Sequence, residues 1–418
     1  MKISGLTDNT MRKTKLFAVI TCLFLSGLLI ASCGQGTGTP WTKPRTDVPA
    51  PERQASSQMS GSAVTAYQDA AFSNLPAVNV AILLPLSGPK SSIGEGMLQA
   101  AQLSLFDMGY TNFNLMPRDT KGTAQSAAAA ATAAINEGAQ LILGPLFSDS
   151  VQAVKQIAKR HSINIITFST DWALADRSTF VMGFMPFSQV DRISQFAIQR
   201  GYKNFAVISP KDQYGNMVTQ RFEEKVRALG GNITNSIRFT PGDPAVINQI
   251  AALKPADGQA AFNAVFMPVG GSQTETISSA LSYNKLMPMQ VKRIGTGLWD
   301  DPRIASQPNM QGAWFAGPSP QARQRFEQQY KNTYGVKPIR LATLAYDATS
   351  LASILARNGF QQGNAPDFSY AALTNPNGFA GTDGIFRFNP NGMVERGLAV
   401  LEIRNGGIVE IAPAPKQF

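Results

Sequence analysis

From Val78 onward, short apolar runs alternate with longer segments whose apolar residues recur at helical spacing. Val78 to Leu84 reads as a buried strand, and Pro85-Leu86-Ser87-Gly88-Pro89 as the loop after it. Gly94 to Met108 places Met97, Ala101, Leu105 and Met108 on one helix face. The alternation continues with a strand at Phe113 to Met116, an Ala-rich helix at Thr123 to Glu137 ended by Gly138, and a strand at Leu141 to Gly144. A helix at Asp149 to Arg160 and a strand at Ile163 to Thr167 close the first series. The pattern then repeats. Strands are predicted at Phe205 to Ser209, Asn232 to Phe239, Ala264 to Met267 and Val291 to Gly295. Helices are predicted between them at Gly215 to Leu229, Pro244 to Leu253 and Ser272 to Tyr283. Strand and helix in alternation predict an α/β fold with parallel sheets. Two such series exceed one sheet core, so the pattern predicts two lobes. Ligands of such lobes bind at the carboxyl ends of the strands, in the crevice between them.

The stretch before this region has a different pattern. Met11 to Lys15 is basic, and Leu16 to Ile30 carries no charge. That run suits a signal-peptide core and is short for a membrane span. Met11 places the basic residues at the start of such a signal. Small residues then precede a cysteine in Ile30-Ala31-Ser32-Cys33-Gly34, which resembles the lipobox of bacterial lipoproteins. The resemblance implies cleavage after residue 32 and acylation of Cys33, which would hold the chain on a membrane at ~0.8 kcal/mol per buried methylene. By the same resemblance, Gly34 after the cysteine implies sorting to the outer membrane. Residues 34–76 are rich in Gly, Thr, Pro, Ser, Gln and Ala, and are expected to form a flexible tether.

Composition narrows the chemistry. Removing residues 1–32 takes four basic and one acidic residue from the 37 and 27 of the whole chain, leaving a net charge of about +7. This serves solubility, or a preference for anionic envelope polymers or an acidic partner face. No basic run interleaved with aromatics suggests nucleic acid. After cleavage Cys33 is the only cysteine, so an internal disulfide, a cysteine metal site and a thiol nucleophile are excluded. His161 is the only histidine, at an expected helix end, where it suits the helix dipole better than catalysis. No metal or cofactor is expected. Three enzyme-like motifs fail: Gly88-Pro89-Lys90-Ser91 lacks the Gly-Lys pair of a phosphate loop, Gly295-Thr296-Gly297 lacks its third glycine, and Ser282-Tyr283-Asn284-Lys285 lacks its companion motifs.

The loops after the strands carry the candidate site. Ser148, at the start of a helix, could hold an anion with the helix amides or could cap the helix, as could Asp149. Ser169, Thr170 and Asp171 come directly after the fourth strand and would face the same crevice. Tyr214 comes after a strand of the second series, either closing over a ligand or packing in its loop.

Leu84-Pro85-Leu86-Ser87-Gly88-Pro89, Gly144-Pro145-Leu146-Phe147-Ser148, Asp212-Gln213-Tyr214-Gly215, Leu344-Ala345-Tyr346-Asp347-Ala348 and Gly381-Thr382-Asp383-Gly384 resemble, in order and spacing, the type 1 periplasmic binding proteins of the leucine-binding-protein-like branch. The resemblance implies two Rossmann-like lobes in a domain over 77–413. Lobe one would be about 77–186 and 317–380, and lobe two about 187–312 and 384–413. In amino-acid-binding members, positions matching Ser148 and Ser169-Thr170 hold the ligand's carboxylate and amine, and one matching Tyr214 packs over it. The pattern departs elsewhere. Ile93 and Val269-Gly270 stand where aromatics are usual, and no acid stands near Gly297 to meet the amine, Asp300 being nearest. A buried ammonium without a carboxylate is strongly disfavoured, which argues against a free α-amino acid. With the lipobox and tether, the whole resembles the penicillin-binding protein activator lipoproteins, in which such a domain stimulates a peptidoglycan synthase. That resemblance implies a non-enzymatic protein, lipid-anchored and facing the periplasm, with a penicillin-binding protein as partner. The alternative is the solute receptor of an ABC importer, with a permease as partner and an amino acid or related small polar ligand in the cleft.

Overall fold

A computed structural model describes residues 76–253, 260–363 and 365–418. The expected signal sequence, Cys33 and nearly all of the expected tether lie outside the described residues. The first lobe is built on β1 (Val78–Leu84), β2 (Phe113–Asp119), β3 (Leu141–Leu143), β4 (Ile165–Thr167) and β5 (Thr179–Val181), joined by α1 (Ser91–Met108), α2 (Ala124–Asn136) and α3 (Ser148–Arg160). Its sheet has the order β2-β1-β3-β4-β5 and is parallel throughout. The chain then enters α4 (Pro186–Gln199), β6 (Asn204–Pro210), α5 (Gln213–Ala228), β7 (Asn232–Phe239), α6 (Ala245–Ala251), β8 (Ala264–Phe266), α7 (Gly271–Tyr283), β9 (Lys292–Gly295), the short α8 (Pro302–Ala305) and β10 (Trp314–Gly317). It returns to the first lobe through α9 (Pro320–Tyr334), α10 (Ala342–Gln362), α11 (Tyr370–Leu373) and the hairpin β11 (Phe386–Phe388) and β12 (Val394–Arg396). It ends in the second lobe with β13 (Ala399–Arg404) and β14 (Gly407–Ala412). The second sheet has the order β14-β13-β10-β9-β8-β6-β7, parallel except for the antiparallel pairs β10 with β13 and β13 with β14.

Each sheet is covered on both faces, so its strands are apolar runs rather than alternating ones. β1 is buried at six of its seven positions, and β3, β4 and β8 at every position. α10 crosses the first core, and Leu344, Ala348, Leu351 and Leu355 pack with Val80, Leu141 and Phe180. α2 and α3 cover the opposite face with small residues, among them Ala127, Ala131, Ala134 and Ala158. In the second lobe, Trp299 is fully buried and its indole N–H donates to Val269 O at 2.9 Å. Removing so large a buried ring would cost about 3–5 kcal/mol.

Two expected boundaries move. β10 pairs with β9, so the second lobe runs to Gly317 rather than 312. Phe386, Phe388 and Val394 complete the first core, so the last return to the second lobe comes at Gly397 rather than at about 384. The hairpin stays behind because its apolar side chains fill space between β5 and α10.

Candidate functional site

Three crossings join the lobes: residues 182–185 before α4, 318–319 before α9, and 397–398 before β13. In both sheets the strand order reverses beside the strand that opens the lobe, β1 or β6. Loops after β3, β4 and β6 therefore open toward one cleft.

The loop from β3 into α3 is fixed by backbone geometry. Gly144 has φ +86°, and a Cβ there would lie 2.4 Å from Leu83 O, so only glycine fits. Pro145 O accepts from the Thr167 hydroxyl at 2.7 Å and from Phe168 N–H at 3.1 Å, which ties this loop to the end of β4. α3 then starts at Ser148, behind Phe147, and neither Ser148 nor Asp149 caps it with a side chain. Of the two roles open to Ser148, capping is therefore the one not taken. After β4, Ser169 is buried, and its hydroxyl accepts from Asp171 N–H at 3.1 Å. Thr170 is exposed beside it.

From the second lobe, Asp212 caps α5 by accepting from Gly215 N–H at 2.7 Å. A Cβ at Gly215 would sit 2.2 Å from Pro210 O, so glycine lets the helix start tight against the strand end. This places Tyr214 in the cleft. Its hydroxyl shares a 2.8 Å hydrogen bond with Thr296 Oγ1, and burial pushes its pKa up to about 12. Tyr214 is therefore a neutral wall whose polar end is already partnered.

Ser148, Ser169, Thr170 and Tyr214 come together around one cleft of about 390 Å³, with Trp172 and Met217. Sequence reasoning did not find Trp172 or Phe184, which also face it. Trp172 lies in a single turn after β4 and meets Phe187 edge-on at 5.9 Å. Phe184 lies in the first crossing. Neither position belongs to a periodic segment, so the hydrophobic pattern carries no sign of them.

Asp300 lines an adjoining hollow of about 200 Å³ nearer the crossings. It is engaged by Arg323, Nη1 to Oδ2 at 2.5 Å. Ile93 packs partly buried against the first core, and Val269 is buried with its carbonyl accepting from Trp299 and Thr274. His161 ends α3. Among the described residues, no group of three or more His, Cys, Asp or Glu could hold a metal ion, and no helix is long and apolar enough to cross a membrane.

The chain is similar to known proteins in sequence and fold. The family model described as periplasmic binding protein matches residues 77–407. The penicillin-binding protein activator LpoA of Photobacterium profundum is 26% identical over 157 residues, covering 37% of this chain and 25% of that protein. LpoA of Glaesserella parasuis serovar 5 is 22% identical over 353 residues, covering 79% and 54%. The chain spans a quarter to about half of the length of the curated relatives it matches. Among solved structures, a protein described as a branched-chain amino acid ABC transporter from Rhodospirillum rubrum aligns with TM-score 0.70 at 20% identity, over 80% of this chain and all of that one. That likeness is one of fold. With parallel two-lobe architecture, three crossings and a family match across most of its length, the chain belongs to the type 1, leucine-binding-protein-like periplasmic binding proteins.

Proposed function

We propose that this protein is a non-enzymatic envelope lipoprotein, acylated at Cys33 and anchored in the outer membrane, whose domain contacts and activates a peptidoglycan synthase of the penicillin-binding protein class. On this reading residues 1–32 are the signal, 33–76 the lipidated cysteine and tether, and the two lobes the effector. The observation that carries it is the Asp300–Arg323 ion pair. Asp300 is the acid nearest the place where an amino-acid receptor needs a carboxylate for the ligand's ammonium, and Arg323 already holds it. Desolvating an ammonium there without a free partner is strongly unfavourable. The two LpoA relatives, named as activators, add support from sequence.

A second reading, the solute-binding lipoprotein of an ABC importer, draws on the convergence of Ser148, Ser169, Thr170 and Tyr214 on one cleft. These groups could take a small polar ligand. Ligand binding to the folded state stabilises it by linkage, so thermal unfolding separates the two. The activator reading predicts that millimolar α-amino acids leave the midpoint of the full-length protein unchanged. It also predicts that the immobilised protein retains a penicillin-binding protein from detergent-solubilised membranes of its own host. A saturable upward shift with an amino acid, without such retention, would sink it in favour of the receptor.

A further inference from the structure

Three exposed apolar side chains of the second lobe gather on one turn, at the end of its sheet away from the cleft. The chain leaves α7 at Tyr283 and enters β9 at Lys292. Along this turn Tyr283 is 88% exposed, Met287 46% and Met289 99%. Single exposed apolar residues are ordinary, but three large ones within seven residues are not. The turn is held firmly. Arg293 is 1% exposed, and its guanidinium donates to Leu286 O and Val291 O, each at 2.7 Å, and to Ser282 Oγ at 3.2 Å. Asn284 Nδ2 donates to Ala280 O at 2.9 Å, and Val291 N–H to Met287 O at 2.9 Å. Leu286 is buried in the core of the second lobe. A buried arginine is costly, and here its donors fix the backbone between Ser282 and Val291. Met287 and Met289 therefore face solvent because the backbone sets them there, not because the loop is slack.

The charge at this end is positive. In register, Lys292 stands level with Ala264 and Phe205, so Lys203 lies at the same end of the sheet, two strands away. Arg200, directly after α4, and Lys285, within the turn, are exposed there as well. Among the described residues, none of these three cations makes an ion pair. Two carboxylates near this end, Glu402 and Glu223, are already engaged, by Arg404 at 2.7 Å and Arg227 at 2.8 Å. A rigid apolar tip beside unpaired cations complements an anionic bilayer: apolar side chains enter the headgroup region while the cations meet the lipid charge. A second copy of this face would set cations against cations. We propose that this end of the second lobe is a docking surface for an anionic phospholipid bilayer, with Tyr283, Met287 and Met289 entering the headgroup region and Arg200, Lys203 and Lys285 meeting the lipid charge. The proposal goes beyond the synthase reading and rests neither on that partner nor on any occupant of the cleft.

The test reconstitutes the full-length protein from detergent into phosphatidylcholine liposomes. These are mixed with fluorescent vesicles, either phosphatidylcholine alone or equal parts phosphatidylethanolamine and phosphatidylglycerol, and captured fluorescence is measured after the two are separated by size. The expected result is capture of the anionic vesicles and not of the neutral ones. Raising salt from about 0.1 M to about 0.5 M should cut that capture several-fold. Met287→Ser combined with Met289→Ser, both at exposed positions, should lower it about tenfold while leaving the thermal midpoint of the protein unchanged. Lys203→Glu combined with Lys285→Glu should lower it as much and remove the salt dependence, whereas the same pair changed to Arg should capture like the parent. The proposal is overturned if the parent captures neutral and anionic vesicles alike, if it captures neither, or if the double Met variant captures like the parent. Clustering of the protein-bearing liposomes with one another, without anionic vesicles, would overturn it in favour of self-association. Absence of vesicle capture, with loss of penicillin-binding protein retention in the double Met variant, would overturn it in favour of a protein contact at this face.

Discussion

Asp347 lies in the first lobe on α10, where Thr382 donates to its Oδ1 from N–H at 2.8 Å and from Oγ1 at 2.7 Å. Burial first, then the charge of Asp383, pushes its pKa up to about 7, against the Thr382 hydrogen bonds and the charge of Arg396. An unfolded aspartate titrates near ~3.9. Between about pH 4 and 7 the folded protein therefore holds a proton that the unfolded chain has released, and stability falls as pH rises through that window. Asp347→Asn keeps the acceptor for Thr382 and removes the titration. Urea unfolding at pH 4.5, 6 and 7.5 should show the variant gaining on the parent as pH rises, by roughly 1–4 kcal/mol over the window. A constant difference at all three values would contradict this account of Asp347. The charged cluster around it was not legible in the sequence. Arg340 and Asp347 lie far along the chain from Asp383 and Arg396, and only the fold brings the four together. Ser148, Ser169, Thr170 and Tyr214 were legible because each comes just after a strand, where α/β topology exposes side chains to the cleft.

At the scale of elements, the alternation of strands and helices from Val78 to Gly295 could be read from periodicity except for β5 and α4, while much of the chain beyond Gly295 could not. α10 is buried on nearly every side, with fifteen buried residues of its twenty-one, so it lacks the polar stripe that marks a helix in sequence. β10 finds its antiparallel partner in β13, far along the chain, and no local pattern reports that pairing. α1 and α10 meet through a buried hydrogen bond between the hydroxyls of Ser104 and Ser350, 2.7 Å apart. Removing one partner strands the other in an apolar interface, and removing both does not. Ser104→Ala and Ser350→Ala should each destabilise by ~1–2 kcal/mol, and the double variant by less than the sum of the two. Chemical denaturation of the four proteins measures the coupling; strict additivity would mean that the two hydroxyls do not act as a pair.

At the scale of the molecule, two lobes joined by three crossings give the chain a cleft, and what fills it separates the two functional readings. Ser148, Ser169 and Thr170 line one end of it, whereas Asp300, on which the proposal turns, is paired with Arg323. The tether and lipid anchor proposed for residues 33–76 would let the domain reach a partner away from its own membrane. The most direct test reconstitutes the full-length protein with a bifunctional penicillin-binding protein of its host in detergent or liposomes, and measures glycan polymerisation and cross-linking. The account predicts a several-fold rise in synthase rate that saturates near equimolar protein. An unchanged rate at saturating protein, with tight and saturable binding of a free amino acid, would contradict it.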